Sequence, residues 1–277
     1  MTEKASESMR INMRDVSQAA RTMLAAEQSA TACPPLTADW SDLDMATAYT
    51  IQDEALDQRR QRGETLIGIK LGLTSRAKQI RMGIDTPSLA WLTDAMVLPF
   101  GEPLTRTQMI HPRAEPEIVF ILKDRLSGPG ITAATALRAV GQVYGGIEII
   151  DSRFQDFSFT ASDAVADNAS SARFVLGPIA RAPDGLDLTQ EACLLEVDGE
   201  VVDAATGAAV QGHPAEALAL AANQLAERGI SLEPGWIILT GGMTDAVPVP
   251  PDTQITARFT NLGATTIAGG TSCPSSK

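Results

Sequence analysis

Residues 111–120 read HPRAEPEIVF, and no other stretch restricts the folding of this chain as strongly. Glu115 and Glu117 bracket a proline and lead into the apolar residues Ile118, Val119, Phe120, Ile121 and Leu122. A short apolar run of this kind reads as a buried strand over residues 117–122. In an extended chain, residues two apart share a face, so the two carboxylates stand side by side at the mouth of that strand. Two like charges about 4 Å apart repel by roughly 4 kcal/mol at an effective dielectric near 20. A fold keeps such a pair if one member is protonated or if a cation lies between them. A third carboxylate, Glu148, sits in GGIEIIDSR among Ile147, Ile149 and Ile150, where an unpaired charge is costly. Three glutamates with hard oxygens and no soft ligand suit magnesium or manganese. Spacing alone weighs this metal reading equally with a plainer one. In the plainer reading Glu-x-Glu is a solvated strand edge and Glu148 takes an outward face.

The charge balance narrows the partners. The chain has 22 Lys and Arg against 34 Asp and Glu, a net −12. Phosphate backbones require a surplus of cations, so nucleic acid is excluded as a partner, as is an anionic membrane surface. A small anionic substrate stays open, because a metal reverses the field inside a pocket. Cys33, Cys193 and Cys273 lie far apart and form no CxxC pair, which argues against a disulfide framework. His111 and His213 are the only histidines, too few for a histidine-rich zinc site. The polar N-terminus lacks the apolar core of a signal peptide, and no run of about 18 apolar residues exists. The expected setting is the cytoplasm.

The 277 residues divide by character into a helical region, 1–65, and a β-rich region, 66–277. Residues 1–12 are polar and expected to be loose. Val16, Ala19, Ala20, Met23 and Leu24 recur at helical spacing over 14–28, and Ala48, Ile51, Ala55 and Leu56 do so over 42–60. Further helices are predicted over 132–140, over 214–227 with Pro214 at its first position, and over 75–82. Strands are predicted over 143–150, 173–176, 236–240 and 254–259, with a hairpin turning on Asp198–Gly199 between 194–197 and 201–203. The tail from residue 269 is expected to be disordered. The order is not a regular βαβ alternation, so the fold class is α+β with a mostly antiparallel or mixed sheet.

Two further segments carry chemistry. In GIKLGLTS, residues 68–75, Lys70 lies between Ile69 and Leu71. It is either a solvent-facing residue, the favoured reading for the segment alone, or a desolvated functional group. In VADNASSARF, residues 165–174, the polar cluster Asp167, Asn168, Ser170 and Ser171 reads first as a turn bonding its own backbone. His213 reads as structural, His111 as at most a neighbour of the glutamate strand, and Asp151 with Arg153 as a local ion pair. No GxGxxG, GxxxxGK[ST] or GxSxG occurs.

GIKLGLTS, LTDAM, HPRAEPEIVF, GGIEIIDSR, VADNASSARFVLG and ILTGGMTDAVPV together resemble the hydratase/decarboxylase branch of the fumarylacetoacetate-hydrolase superfamily, over about residues 10–265. The resemblance implies a mixed β-roll core with an N-terminal helical part, assembled as a homo-oligomer. It implies Glu115, Glu117 and Glu148 as ligands of Mg²⁺ or Mn²⁺, Lys70 as the active-site lysine, and Leu73, Thr74 and Ser170 at a bound 2-oxo acid. It also implies that residues 82–96 form a loop that closes over the site. Ile69 before Lys70, and Ser171 where hydratases usually carry cysteine, resemble the decarboxylase text. So do residues 157–159, FSF, and 241–247, GGMTDAV. The implied activity is decarboxylation of a small 2-oxo dicarboxylic acid, 2-oxo-3-hexenedioate, in aromatic catabolism, with 2-oxopent-4-enoate hydration as the alternative. The branch also implies a complex with such a hydratase.

Overall fold

The computed structural model describes residues 2–75, 79–80 and 86–271. Helix α1 spans Thr2–Ser29 and α2 spans Met45–Gln61. α1 begins well ahead of the expected residue 14. The segment is rich in Glu, Lys, Ala, Met and Arg and holds no Gly or Pro, so nothing in it stops a helix. The Asp44 carboxylate caps α2, accepting from the Thr47 N–H at 2.7 Å. Ala48, Ile51, Ala55 and Leu56 are buried, as the spacing predicts. The first three pack with Ala19, Ala20 and Leu24 of α1 and with Val165 and Ala166. Those last two belong to a short helix α4, Ala161–Ala166, which the sequence reading missed. α3, Ala133–Ala139, is capped by Thr132, and α5 covers Pro214–Glu227. His213 Nδ1 accepts from the Ala215 N–H at 2.9 Å, so this histidine is a helix cap.

The strands form two sheets. The larger runs β2 (Ser88–Thr93), β1 (Leu66–Gly72), β8 (Ile237–Leu239), β3 (Arg113–Leu122), β4 (Val140–Ile150) and β5 (Ser171–Leu176), with β9 (Val247–Pro248) pairing β3 beyond β8. Only β1 and β8 pair in parallel within it. The smaller sheet runs β11 (Gly263–Ala268), β10 (Gln254–Phe259), β6 (Ala192–Val197) and β7 (Glu200–Thr206). Asp198 and Gly199 between β6 and β7 both have positive φ, 51° and 86°, as a two-residue hairpin of this type requires. One core joins the sheets: Ile118, Phe120, Val143 and Ile147 meet Leu195, Ile255, Ala257 and Phe259. Gly145 makes this contact possible, since a Cβ there would fall 2.4 Å from the Phe259 ring. The result is the expected α+β fold, a mixed sheet curled into a β-roll with helices at its N-terminus.

One expectation changes. Residues 82–96 are not a single closing loop: Ser88–Thr93 form β2, buried along its whole length, and a 3-10 turn covers Asp94–Met96. Its alternation was hidden because both faces of the strand are covered. Most of the helix expected over 75–82, and the tail from 272 with Cys273, lie outside the described residues.

Asp163 anchors α4 to the N-terminal segment. Its buried carboxylate accepts from the Thr37 N–H and Oγ1 and from the Thr160 N–H and Oγ1, at 2.6–3.0 Å. Asp163→Ala strands these donors and should cost about 3 kcal/mol. Urea unfolding should show a lower midpoint at unchanged slope.

Candidate active site

The register of β3 against β4 sets the site. Glu115 lies directly opposite Glu148, and Glu117 opposite Gly146. Each of the three carboxylates offers one oxygen, and those oxygens all lie within 4.8 Å of one another. Glu117 and Glu148 are buried and Glu115 half-buried. Pro116, between the first two, fits for a backbone reason. Met243 N–H donates to Pro116 O and Thr240 N–H to Ile118 O, so the even-numbered residues of β3 turn their backbone groups away from β4. On that side β8 pairs residues 119–121 and β9 pairs 113–114, leaving a gap in which proline's missing N–H is not needed.

The turn Thr240–Gly241–Gly242 fills the gap. Gly241 has φ +113°, and its N–H donates to Glu117 Oε2 at 2.7 Å. A Cβ on Gly241 would stand 2.1 Å from Thr74 Oγ1, and one on Gly242 would press on the Glu115 carboxyl group at 2.9–3.1 Å. Both glycines are therefore required by close approach. The other Glu117 oxygen, Oε1, is buried without a hydrogen-bond partner.

The electrostatics follow from this crowding. Burial, then the neighbouring Glu148 and Glu115, push Glu117 well above the usual carboxylate range, against the pull of the Gly241 N–H. Burial also raises Glu148, against the Lys70 ammonium. Lys70 is itself only 2% exposed, so the solvent-facing reading gives way. Its Nζ lies 2.9 Å and 3.0 Å from the two oxygens of Glu148. Ser171 Oγ donates to Glu148 Oε1 at 3.0 Å, a contact the sequence reading did not assign. Glu148 is likewise not on a solvated face, because residues 145–149 of β4 are all buried.

Lys70, Leu73, Thr74, Glu115 and Ser170 line one cavity of about 360 Å³. The predicted site residues are thereby brought together: Glu117 and Glu148 do not line the cavity, but their carboxylates converge on that of Glu115. Leu73 has φ +58°, and Asn168, Ala169 and Ser170 have φ +50°, +47° and +58°. Gln79 Nε2 holds Leu73 O at 3.0 Å and Gln211 Nε2 holds Thr74 O at 2.9 Å. Asn168 exchanges hydrogen bonds with the Trp91 N–H and C=O, both 2.9 Å, which ties the polar cluster to β2. Arg113, Phe157, Phe159 and Asp245 also line the cavity and carried no assigned role in the sequence. Phe157, Phe159 and Asp245 lie in the FSF and GGMTDAV motifs that carried the resemblance, and Arg113 stands two residues ahead of Glu115 on the same strand face.

The Asp151–Arg153 ion pair is not formed. The Asp151 carboxylate instead accepts from the Ile110 and His111 N–H groups, at 2.8 and 2.6 Å. Arg153 pairs with Asp167 and donates to the Asp151 and Ser171 carbonyls. A strand end offers its carbonyls to whichever donor is long enough to reach them, and Arg153 is.

The donor set fits a hard divalent cation: three carboxylates converge, all through oxygen, and one buried oxygen has no proton donor. Comparison with known proteins agrees with this frame. The chain belongs to the fumarylacetoacetate (FAA) hydrolase C-terminal family, whose model matches residues 65–267. Within reach of it stand two kinds of relative. The 4-oxalocrotonate decarboxylase of Pseudomonas sp. strain CF600 is 43% identical over 229 residues, 83% of this chain and 87% of the relative. The 2-hydroxypent-2,4-dienoate hydratase of Pseudomonas putida is 42% identical over 198 residues, 71% of this chain and 89% of the relative. The structure of 4-oxalocrotonate decarboxylase from Pseudomonas putida G7, complexed with magnesium and adipate, superposes with a TM-score of 0.90 at 38% identity. That match covers 92% of this chain and 97% of the other. Among the described residues no helix is long and apolar enough to cross a membrane.

A raised Glu117 holds its proton more tightly folded than unfolded. Chelator-treated protein should therefore lose stability as the pH rises above the ordinary carboxylate range toward the raised Glu117 pKa. Mg²⁺ at about 100 times its Kd should add roughly 2.7 kcal/mol at the upper end. Glu117→Gln should flatten the pH dependence and abolish the magnesium gain, both read by thermal unfolding.

Proposed function

We propose that the chain is a divalent-metal-dependent lyase that converts 2-oxo-3-hexenedioate (4-oxalocrotonate) to 2-hydroxypenta-2,4-dienoate and carbon dioxide. The observation that carries this reading is the convergence of Glu115, Glu117 and Glu148 beside the buried Lys70 ammonium, with Glu115 and Lys70 lining one cavity. The decarboxylases among its relatives support it, as does the magnesium and adipate in the relative's structure.

Glu115, Glu117 and Glu148 would hold the cation, for which Mg²⁺ is the first choice. Bound there, it supplies Lewis acidity toward the keto oxygen of a 2-oxo acid. Lys70 does two things. It neutralises part of the glutamate charge, and it keeps positive charge at the cavity wall where a keto oxygen becomes an enolate oxygen. The C5–C6 bond breaks, its electron pair moves through C3–C4 onto that oxygen, and C6 leaves as carbon dioxide. Protonation of the oxygen completes the dienol. Leu73, Ile150, Phe157 and Phe159 give the cavity an apolar wall that limits water around the departing carboxylate. The strained turn at 168–170 places Ser170 at the same wall, braced by Asp167 through Oγ at 3.5 Å.

The hydratase relative supports the second reading, addition of water to 2-hydroxypenta-2,4-dienoate on the same scaffold. Purified protein supplied with 2-oxo-3-hexenedioate should release carbon dioxide with Mg²⁺ and none in excess chelator. Consumption of the dienoate without carbon dioxide release from the diacid would favour hydration instead. Lys70→Met should lower kcat by about 10²–10³-fold, well beyond its effect on Mg²⁺ affinity measured by calorimetry.

A further inference from the structure

Arg113 opens β3 two residues ahead of Glu115, which puts it on the carboxylate face with its Cα about 7 Å from that of Glu115. Its half-buried side chain lines the cavity that Lys70 and Glu115 also line. The guanidinium carbon lies 4.2 Å from the centroid of the Phe157 ring. Among the described residues the guanidinium makes no hydrogen bond or ion pair, so stacking is all that holds it. Arg59, Arg153, Arg228 and Arg258, by contrast, each hold a carboxylate. A half-buried guanidinium facing a cavity with its donors free is a site for an anion.

The charge balance indicates which anion. The three glutamates contribute −3, which a divalent cation with Lys70 balances, and Asp245 adds one further carboxylate to the cavity wall. The keto-acid end of a substrate is accommodated at the cation and Lys70. A second carboxylate, further along the molecule, finds no other cation among the described residues that line the cavity. We propose that Arg113 receives this second carboxylate and makes the site selective for dicarboxylates over monocarboxylates. The inference rests on the 2-oxo acid reading above and extends it to the far end of the substrate.

The guanidinium fork binds a carboxylate through two parallel N–H donors, and the Phe157 face holds the fork in one plane and partly dry. The same wall has a consequence for the reaction. When the C5–C6 electron pair moves toward the keto oxygen, the far carboxylate becomes neutral carbon dioxide and its attraction to Arg113 disappears. Arg113 thus strengthens binding of the dianion and contributes little to lowering the barrier, which belongs to the cation and Lys70.

The test uses the magnesium-loaded protein and calorimetric binding of 2-oxoadipate and 2-oxohexanoate, which share the keto-acid end and differ in the second carboxylate. The wild-type protein should prefer the diacid by about ten- to hundredfold. Arg113→Met should erase that preference while its affinity for 2-oxohexanoate stays close to wild type. Arg113→Lys should keep part of it, since the charge remains and the fork is lost. A preserved preference in Arg113→Met overturns the inference and leaves the metal reading intact. Equal weakening of both acids also overturns it, because that is the mark of a purely structural stack on Phe157. If the wild-type protein binds neither acid in a magnesium-dependent manner, the 2-oxo acid reading falls and this inference with it.

Discussion

The two-pronged contact between the Lys70 ammonium and the Glu148 carboxylate is the interaction on which the rest of the centre depends. Burying one carboxylate beside two others is unfavourable, and the protein offsets it with a single internal cation plus one hydroxyl, Ser171, on the same group. Glu148 is thereby satisfied without a metal, whereas Glu117 is not: one of its oxygens has a backbone donor and the other has nothing. The centre is an incomplete assembly whose missing component must be positive and small. That asymmetry between two glutamates, each almost fully buried, is what separates a metal seat from an ordinary internal ion pair.

The protein keeps this charge cluster in place by building it on strands. Glu115, Glu117, Glu148 and Lys70 come from β3, β4 and β1 of one sheet, so their spacing is set by strand register rather than by loop conformation. The walls are different in origin. Ser170 sits in a turn of three left-handed residues, Phe157 and Phe159 in the connection after β4, and Asp245 in the loop before β9. This turn is braced from outside the cavity: Arg153 binds Asp167 beside it, and Asp167 and Glu27 of α1 raise the Arg153 pKa although burial alone would lower it. The N-terminal helices thus reach the site through a chain of charges, Glu27 to Arg153 to Asp167 to Ser170.

Much of this was legible in the sequence, and the limits have physical causes. Periodicity located α2, α3 and α5 to within a few residues, because each buries one stripe and leaves the other face wet. The Asp198–Gly199 turn was readable because few dipeptides tolerate two positive φ angles. The three glutamates stood out chemically, yet their spacing could not choose between a cation seat and solvated edges; that needed the cross-strand register and the depth of Glu117 and Glu148. Lys70 was misjudged when taken alone, since its partner lies 78 positions away. The resemblance implies a closing loop over 82–96, and the residues of β2 offer no counter-signal, because a strand covered on both faces shows no alternation. The role of Gly241 and Gly242 was invisible for a related reason: the groups they make room for, Thr74 and Glu115, are remote in sequence. The order of the N-terminal segment was also missed, because polarity was read as looseness where helix propensity governs.

Pro116 gives the fold a property beyond its own position. By withholding an N–H toward the interval between β8 and β9, it prevents that interval from zipping shut into continuous sheet. The cation seat therefore stays rigid while the segments that surround it remain free to differ among descendants of one ancestor. A lineage can exchange the loop side chains that line the cavity, Phe157, Phe159 and Asp245 among them, without disturbing the charge cluster beneath them. Decarboxylases and hydratases of nearly equal similarity to this chain are the expected harvest of such a division of labour.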